Sequence, residues 1–304
     1  MTRRRVAVTG AGGRLGRALV DALAAADDSP LAWQRPELDL DEPASLAALV
    51  ERDRPDAVIH AAAWTDVDGC AREPDVAMRR NGDATGALAR GCAARSVRLV
   101  HISTNEVFEG RPARRREYGH RDATVPVNAY GASKLMGERR ALEAFRGPSR
   151  TLLAIVRTAW LFGPPGGDFP DKILDAADRA RASHSPLLLV ADEVGNPTFA
   201  PDLAVAIVAL LDARAAGIHH VTNRGSVSRA GWARALLAAA GLEVMTEDVP
   251  SRTWPRPSTP PLRAVLRPTA LPGDVEMRSW EAATAAYLPD LLAIRAGRPA
   301  AALR

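Results

Sequence analysis

The stretch Arg4-Arg5-Val6-Ala7-Val8-Thr9-Gly10-Ala11-Gly12-Gly13-Arg14-Leu15-Gly16 decides the fold. Its first half is a short, partly β-branched run. From Arg14 to about Ala26 the apolar residues return at helical spacing. Gly10, Gly13 and Gly16 stand between the two in a GxxGxxG pattern. Glycines there permit a tight turn, a close backbone approach to a pyrophosphate and close packing of helix on sheet. The helix N-terminus meanwhile presents free N–H groups to the anion. A glycine loop set between first strand and first helix predicts dinucleotide binding through Gly10, Gly13, Arg14, Leu15 and Gly16.

Downstream the alternation repeats. We expect a second strand near 31–34, then a helix opened by Asp41-Glu42-Pro43 with an acidic first turn. A third strand is expected at 56–61, a long helix from 74 to about 95, and a fourth strand at 97–103, apolar almost throughout. Residues 104–125 read as a long polar loop, a length that points to function. A helix and a fifth strand at 152–157 follow. This order predicts an α/β, doubly wound parallel sheet, whose ligands lie outside the carboxyl ends of the strands.

Past Trp160 the pattern loosens at the breaker cluster Gly163-Pro164-Pro165-Gly166-Gly167. Helices at about 168–183 and 201–213 and strands at 187–190 and 218–222 are expected. The last eighty or so residues mix helix with a Pro-rich stretch at 254–261. They predict a smaller C-terminal domain woven with the last sheet elements.

The second strand ends without the carboxylate that would hold a ribose diol. It offers Gln34 and Arg35 instead, and Arg14 lies in the glycine loop. Arginine suits a 2′-phosphate, so NADPH is expected, with NADH as the alternative. Asp39 and Leu40 are placed beside the adenine.

Asn128-Ala129-Tyr130-Gly131-Ala132-Ser133-Lys134 supplies the chemistry. The chain has three tyrosines and two lysines against 38 arginines. The chance of some Tyr preceding a Lys by four residues is only ~0.02, which removes most of the false-positive risk of so short a motif. Positions i and i+4 share a helix face, and an ammonium one turn from a phenol is expected to lower the phenol's pKa toward the range of a working proton donor.

Composition excludes other classes. Of 304 residues 47% are apolar and 25% charged, and the net charge is +4. The clusters Arg3-Arg4-Arg5 and Arg114-Arg115-Arg116 lack the aromatic interleaving of a nucleic-acid surface. Cys70 and Cys92 form neither a disulfide framework nor a thiolate metal site. Asp66 and Asp68 share a face without a third ligand, His219 and His220 face opposite sides of a strand, and His60 and His101 are expected to be packed or hydrogen-bonded. No metal is expected. With no run of about 18 apolar residues and no apolar leader, a cytoplasmic protein without membrane contact is expected.

The glycine loop, Ala61-Ala62-Ala63-Trp64-Thr65-Asp66-Val67-Asp68, Ser103-Thr104 before Val107-Phe108, the Tyr130/Lys134 pair, Arg157-Thr158-Ala159-Trp160 and Gly195-Asn196-Pro197-Thr198 occur in that order. Together they resemble the dTDP-4-dehydrorhamnose reductases, a branch of the extended short-chain dehydrogenase/reductase superfamily. The resemblance runs to about residue 270, where Arg256-Pro257 and Leu262 look like the family's closing segment. It implies a Rossmann-like NADP-binding domain at 1–160 plus about 187–225. A nucleotide-sugar-binding domain would occupy about 161–186 plus 226–304. It further implies reduction of a dTDP-4-keto-6-deoxy sugar, in rhamnose or related deoxysugar biosynthesis; the residues leave open whether the chain pairs as a homodimer. Tyr130 would protonate the carbonyl, Lys134 would hold the nicotinamide ribose, and Thr104 would hydrogen-bond the same oxygen. Ala62, Ala63 and Thr65 would line the cofactor channel, and Val67 and Trp160 the sugar pocket.

One segment departs from that pattern. The family usually reads Ser-Thr-Asp-Tyr-Val-Phe where this chain has Ser103-Thr104-Asn105-Glu106-Val107-Phe108. With Asn105 and Glu106 counted among the substrate contacts, the change alters both shape and charge where hydroxyls are read. Two competing functions follow from the same residues: a nucleotide-sugar epimerase with tightly bound NAD, and a regulatory subunit that binds NADP without turnover.

Overall fold

A computed structural model describes residues 3–114, 116–273 and 275–297. Arg115 of the basic cluster and the outer ends of the two expected domains, 1–2 and 298–304, lie outside the described residues. Six strands form the central sheet: β1 (Arg5–Thr9), β2 (Ser29–Trp33), β3 (Ala57–His60), β4 (Arg98–Thr104), β5 (Leu153–Thr158) and β6 (Gly217–His220). Their order is β6-β5-β4-β3-β1-β2, and every neighbouring pair is parallel. The order reverses between β1 and β3, which opens a crevice at their carboxyl ends.

Alternate strand residues supply two cores. Val6, Val8, Ile59, Val100 and Val156 pack against Leu15 and Leu19 of the Arg14–Ala25 helix and Leu203 and Ile207 of the Ala200–Asp212 helix. On the opposite face Ala7, Val58, Leu99 and Ile155 meet Leu46 and Leu49 of the Pro43–Asp53 helix and Leu88 of the Ala84–Ala94 helix. Each such Val, Leu or Ile side chain contributes about 1.5–3 kcal/mol by leaving water. With both faces covered, β3, β4 and β5 are buried along their whole length.

A further core gathers Phe162, Trp232, Tyr287 and Leu291 between the Phe169–Ala182, Arg229–Ala239 and Trp280–Ala296 helices. Strand Leu187–Val190 pairs in parallel with Thr246–Val249, and its Leu187 and Leu189 lie in this core. This strand is not hydrogen-bonded to the six-stranded sheet.

Three local expectations change. The helix expected over 74–95 is α-helical at Pro74–Ala77, π-helical at Met78–Asp83 and α-helical again at Ala84–Ala94. The wider turn delivers Asn81 to the Trp64 backbone, where it accepts from the N–H at 2.8 Å and donates to the carbonyl at 3.0 Å. Pro43 does open the second helix, but Asp41 and Glu42 precede its first turn, and Asp41 binds Arg79 and Arg80. The long loop after β4 is not polar throughout: Val107, Phe108 and Tyr118 are buried with Leu135 and Leu266.

Beneath the Ala129–Ala144 helix lies a fully buried ion pair. Arg157 donates to both oxygens of Glu138, at 2.9 and 2.6 Å, and the Ser103 hydroxyl donates to Glu138 Oε1 at 2.6 Å. Removing one partner leaves a buried charge without its counter-ion. Arg157→Met is expected to lower the unfolding free energy by about 3–5 kcal/mol in urea titration. The double variant Arg157→Met/Glu138→Leu, which removes both charges, is expected to recover most of that loss.

Candidate active site

The glycine loop is shaped as its sequence predicts. Gly10 has φ +68°, and a Cβ there would meet the Ala62 backbone at 3.0 Å. A Cβ on Gly16 would fall 2.0 Å from the Gly10 carbonyl oxygen, so only glycine lets the helix approach β1 this closely. The Arg14–Ala25 helix begins at Gly13 with no side-chain cap and no acidic residue in its first turn. Its leading N–H groups are thus available to an anion, and the site fits a dinucleotide.

A cavity of about 680 Å³ opens from this loop along the carboxyl edge of the sheet. Gly10, Gly13, Arg14, Leu15 and Gly16 form one wall, continued by Arg35 and Leu40 after β2. Ala62, Ala63, Thr65 and Val67 follow from β3, and Thr104, Asn105 and Glu106 from β4. Tyr130, Lys134 and Trp160 close the far side. Of the expected residues only Asp39 stands outside the wall. Its carboxylate accepts the Asp41 N–H at 2.9 Å and holds the turn that starts the next helix. Arg14 lines the cavity, but its guanidinium donates to the carbonyls of Gly163 (2.9 Å) and Gly166 (2.6 Å). Arg35 is exposed and has no polar partner among the described residues.

Tyr130 and Lys134 come to the cavity from the start of the Ala129–Ala144 helix. Asn128 caps it, its side-chain oxygen accepting the Gly131 N–H at 2.8 Å. Gly131 is required: its Cβ would lie 2.1 Å from the Glu106 carbonyl oxygen. Asn81 of the π-turn donates to the Ser133 hydroxyl at 3.0 Å, which donates to the Tyr130 carbonyl at 2.8 Å. The segment bearing the pair is thereby fixed from both sides.

The electrostatics differ from the sequence expectation. Burial pushes the Tyr130 phenol above its ordinary pKa, the Glu106 carboxylate adds to the rise, and the Thr104 hydroxyl, within hydrogen-bonding reach, opposes it. The neighbouring Lys134 does not offset this rise. Burial lowers its own ammonium to about 8, with Glu138 one turn on pulling the other way. At neutral pH the site therefore holds a protonated phenol beside a charged amine whose proton is loosely kept. Glu106 is itself raised, by burial first, while its hydrogen bond from Asn128 lowers it.

Some site residues carried no decisive sequence signal. Arg229 lies over the Trp160 ring at 3.6 Å, pairs with Glu193 at 3.4 Å and borders the main cavity. It also borders an adjoining one of about 380 Å³, lined in addition by Phe169, Lys172 and Arg256. Nothing in so arginine-rich a sequence singles it out. Gly195 sits under Trp160, where a Cβ would come within 2.5 Å of the indole. Asn128 was readable as an N-cap two residues before Tyr130.

Other expected groups have local duties. Asn105 is buried, donates to the Ala264 carbonyl at 3.1 Å and accepts from Thr104 at 3.3 Å. Asp66 caps the Val67–Arg72 helix, and Asp68 binds Ser258 and Arg256. His60 bonds Thr9 and Thr85 at 2.8 and 3.1 Å, and His101 is buried against it with ring centroids 5.4 Å apart. No group of three or more His, Cys, Asp or Glu able to hold a metal occurs among the described residues, nor any helix long and apolar enough to cross a membrane.

The model of the RmlD substrate binding domain matches residues 4–293. The chain is 38% identical to a dTDP-4-dehydrorhamnose reductase of Mycobacterium tuberculosis, over 93% of this chain and 92% of the relative. It is 36% identical to a dTDP-4-keto-6-deoxy-D-glucose reductase of Streptomyces niveus, over 86% of this chain and 85% of the relative. The crystal structure of a Bacillus anthracis dTDP-4-dehydrorhamnose reductase in complex with NADP superposes with a TM-score of 0.86 at 30% identity, covering 95% of this chain and 100% of that one.

The depressed Lys134 has a measurable consequence. Below about pH 8 its ammonium is charged in both folded and unfolded chains, and folding bears the whole desolvation penalty. Between about 8 and 10.5 only the unfolded chain keeps the proton, so this contribution to stability rises with pH. Lys134→Met should therefore exceed the wild type in unfolding free energy by about 3 kcal/mol at pH 7. The advantage should shrink as the same urea titration is repeated toward pH 10.

Proposed function

The chain belongs to the dTDP-4-dehydrorhamnose reductase family, and we propose that it reduces the 4-keto group of a dTDP-linked deoxysugar with NADPH. The observation that carries this reading is the meeting of Thr104, Tyr130 and Lys134 with the glycine loop on one cavity. When bound, the nicotinamide supplies the hydride. The glycine loop and the uncapped helix start hold the pyrophosphate, and Arg35 at the end of β2 meets a 2′-phosphate.

The protein's own part is proton delivery and charge stabilisation. As negative charge develops on the carbonyl oxygen, Tyr130 gives it the phenolic proton and Thr104 donates a hydrogen bond to the same atom. A phenol held above its ordinary pKa stays loaded at neutral pH. Lys134, charged below about pH 8, stabilises the phenolate left behind. Val67 and Trp160 flank the sugar, with Trp160 held by Arg229 above and Gly195 below. The adjoining cavity seats the nucleotide: Lys172, Arg229 and Arg256 meet its phosphates and Phe169 offers a ring to its base.

NADPH consumption with dTDP-6-deoxy-L-lyxo-4-hexulose tests the assignment. Tyr130→Phe should lower kcat by at least ~10²-fold while NADPH binding, followed by fluorescence, persists. NADPH oxidation at an equal rate in the variant would reject the role of Tyr130. In the wild type, kcat/KM for reduction should fall as pH rises through about 8, because the Lys134 ammonium is then lost. Lys134→Met should abolish that limb of the profile.

A further inference from the structure

Glu106 is a carboxylate that the hydride-transfer reading leaves without chemistry. One of its oxygens, Oε2, accepts the Asn128 amide at 2.6 Å. The other, Oε1, meets no donor among the described residues, and the side chain lines the cavity together with Thr104 and Tyr130. Its field reaches the Tyr130 phenol. Its backbone is fixed as well, since the Glu106 N–H donates to the Thr104 hydroxyl at 3.2 Å and its carbonyl abuts Gly131. A carboxylate oxygen without a donor thus shares one cavity with the Thr104 and Tyr130 hydroxyls, which the proposed reduction directs at the substrate carbonyl. That is the constellation required to remove a proton from the carbon beside a carbonyl.

We propose that Glu106 is a general base that gives this site a second, redox-neutral activity: exchange of a proton on C3 or C5 of the bound 4-keto sugar, the two carbons flanking the carbonyl. This rests on the reading of the substrate given above. Glu106 Oε1 takes the proton. The C–H electron pair becomes the C=C bond of an enolate, and the carbonyl π pair moves onto O4. Tyr130 and Thr104 donate hydrogen bonds to that oxyanion, as they do to the alkoxide that forms during reduction. The reverse step returns a proton to the same carbon, so atoms and electrons balance with no oxidant or reductant. The Glu106 carboxyl exchanges its proton with water between the two steps. Where the returned proton arrives on the opposite face, the result is epimerisation beside the ketone. A phenol in this position, as the family pattern has it, is a far weaker base than a carboxylate.

The experiment omits NADPH. Wild-type protein is incubated with dTDP-4-keto-6-deoxyglucose in D₂O, and deuterium at C3 and C5 is followed by NMR against a protein-free control. Incorporation should be at least ~10²-fold faster with the wild type than with Glu106→Gln or with Glu106→Tyr, which restores the family residue. NADPH binding by fluorescence confirms that each variant is folded. No incorporation above the control, or equal rates in wild type and a folded variant, would overturn the proposal. The two readings fail separately: NADPH oxidation without exchange rejects the role of Glu106 alone. Exchange without NADPH oxidation keeps that role and rejects the reductase.

Discussion

A Cβ at position 131 would sit 2.1 Å from the Glu106 carbonyl oxygen, so the helix that carries Tyr130 and Lys134 can touch the end of β4 only with glycine there. The rest of the site depends on that approach. It brings the Tyr130 phenol to the Thr104 hydroxyl, places Glu106 within electrostatic reach of the phenol, and lets Asn128 both cap the helix and bind Glu106. The same economy of space recurs at Gly16 under the first helix and Gly195 under Trp160, where any side chain would meet backbone or indole at 2.0 and 2.5 Å. Three functional walls are thus set by missing methyl groups. Overpacking by one carbon typically costs 1–3 kcal/mol, and here it would also displace the reacting groups.

Closeness has an electrostatic price, because the approach that assembles the site also dries it. Lys134 is 3% exposed and loses hydration that Glu138 restores only in part. Glu138 is in turn held by the buried Arg157 and by Ser103, next in the chain to Thr104. A line of paired groups therefore runs from the floor of the site to its amine. The Arg157–Glu138 pair adds little net stability of its own. It fixes where the charge lies beneath Lys134. Dryness has the opposite effect on the phenol, which it keeps protonated. The expectation that an ammonium at i+4 would lower the phenol's pKa treats the pair as if in water. In the folded chain burial and Glu106 act more strongly on the phenol.

Much of this was legible in the chain, for reasons specific to the residues involved. The β1 glycine loop joins two periodicities at one point, and few structures satisfy both. Tyr130 and Lys134 stand out because the chain has almost no other residues of their kinds. Arg229 is hidden for the converse reason, as one of 38 arginines whose place over Trp160 is fixed only by tertiary contacts. The π-turn at Met78–Asp83 is likewise silent, since one inserted residue barely disturbs the helical pattern while redirecting Asn81. Asp39 was read as an adenine contact from its distance past β2. Its carboxylate accepts the Asp41 N–H two residues on, a local bond that aspartate readily makes and that a distance along the chain does not reveal.

Arg14 shows how the two regions act as one site. Sequence places it in the glycine loop, where it reads as a phosphate ligand. Its guanidinium instead bridges to the carbonyls of Gly163 and Gly166, with Asp168 3.8 Å away, at the point where the chain leaves the sheet for the second core. Asp168 also accepts the Gly163 N–H at 2.8 Å and caps the Phe169–Ala182 helix, which carries Phe169 and Lys172 of the adjoining cavity. The glycine loop and the wall of the adjoining cavity are therefore joined through one arginine and one short turn.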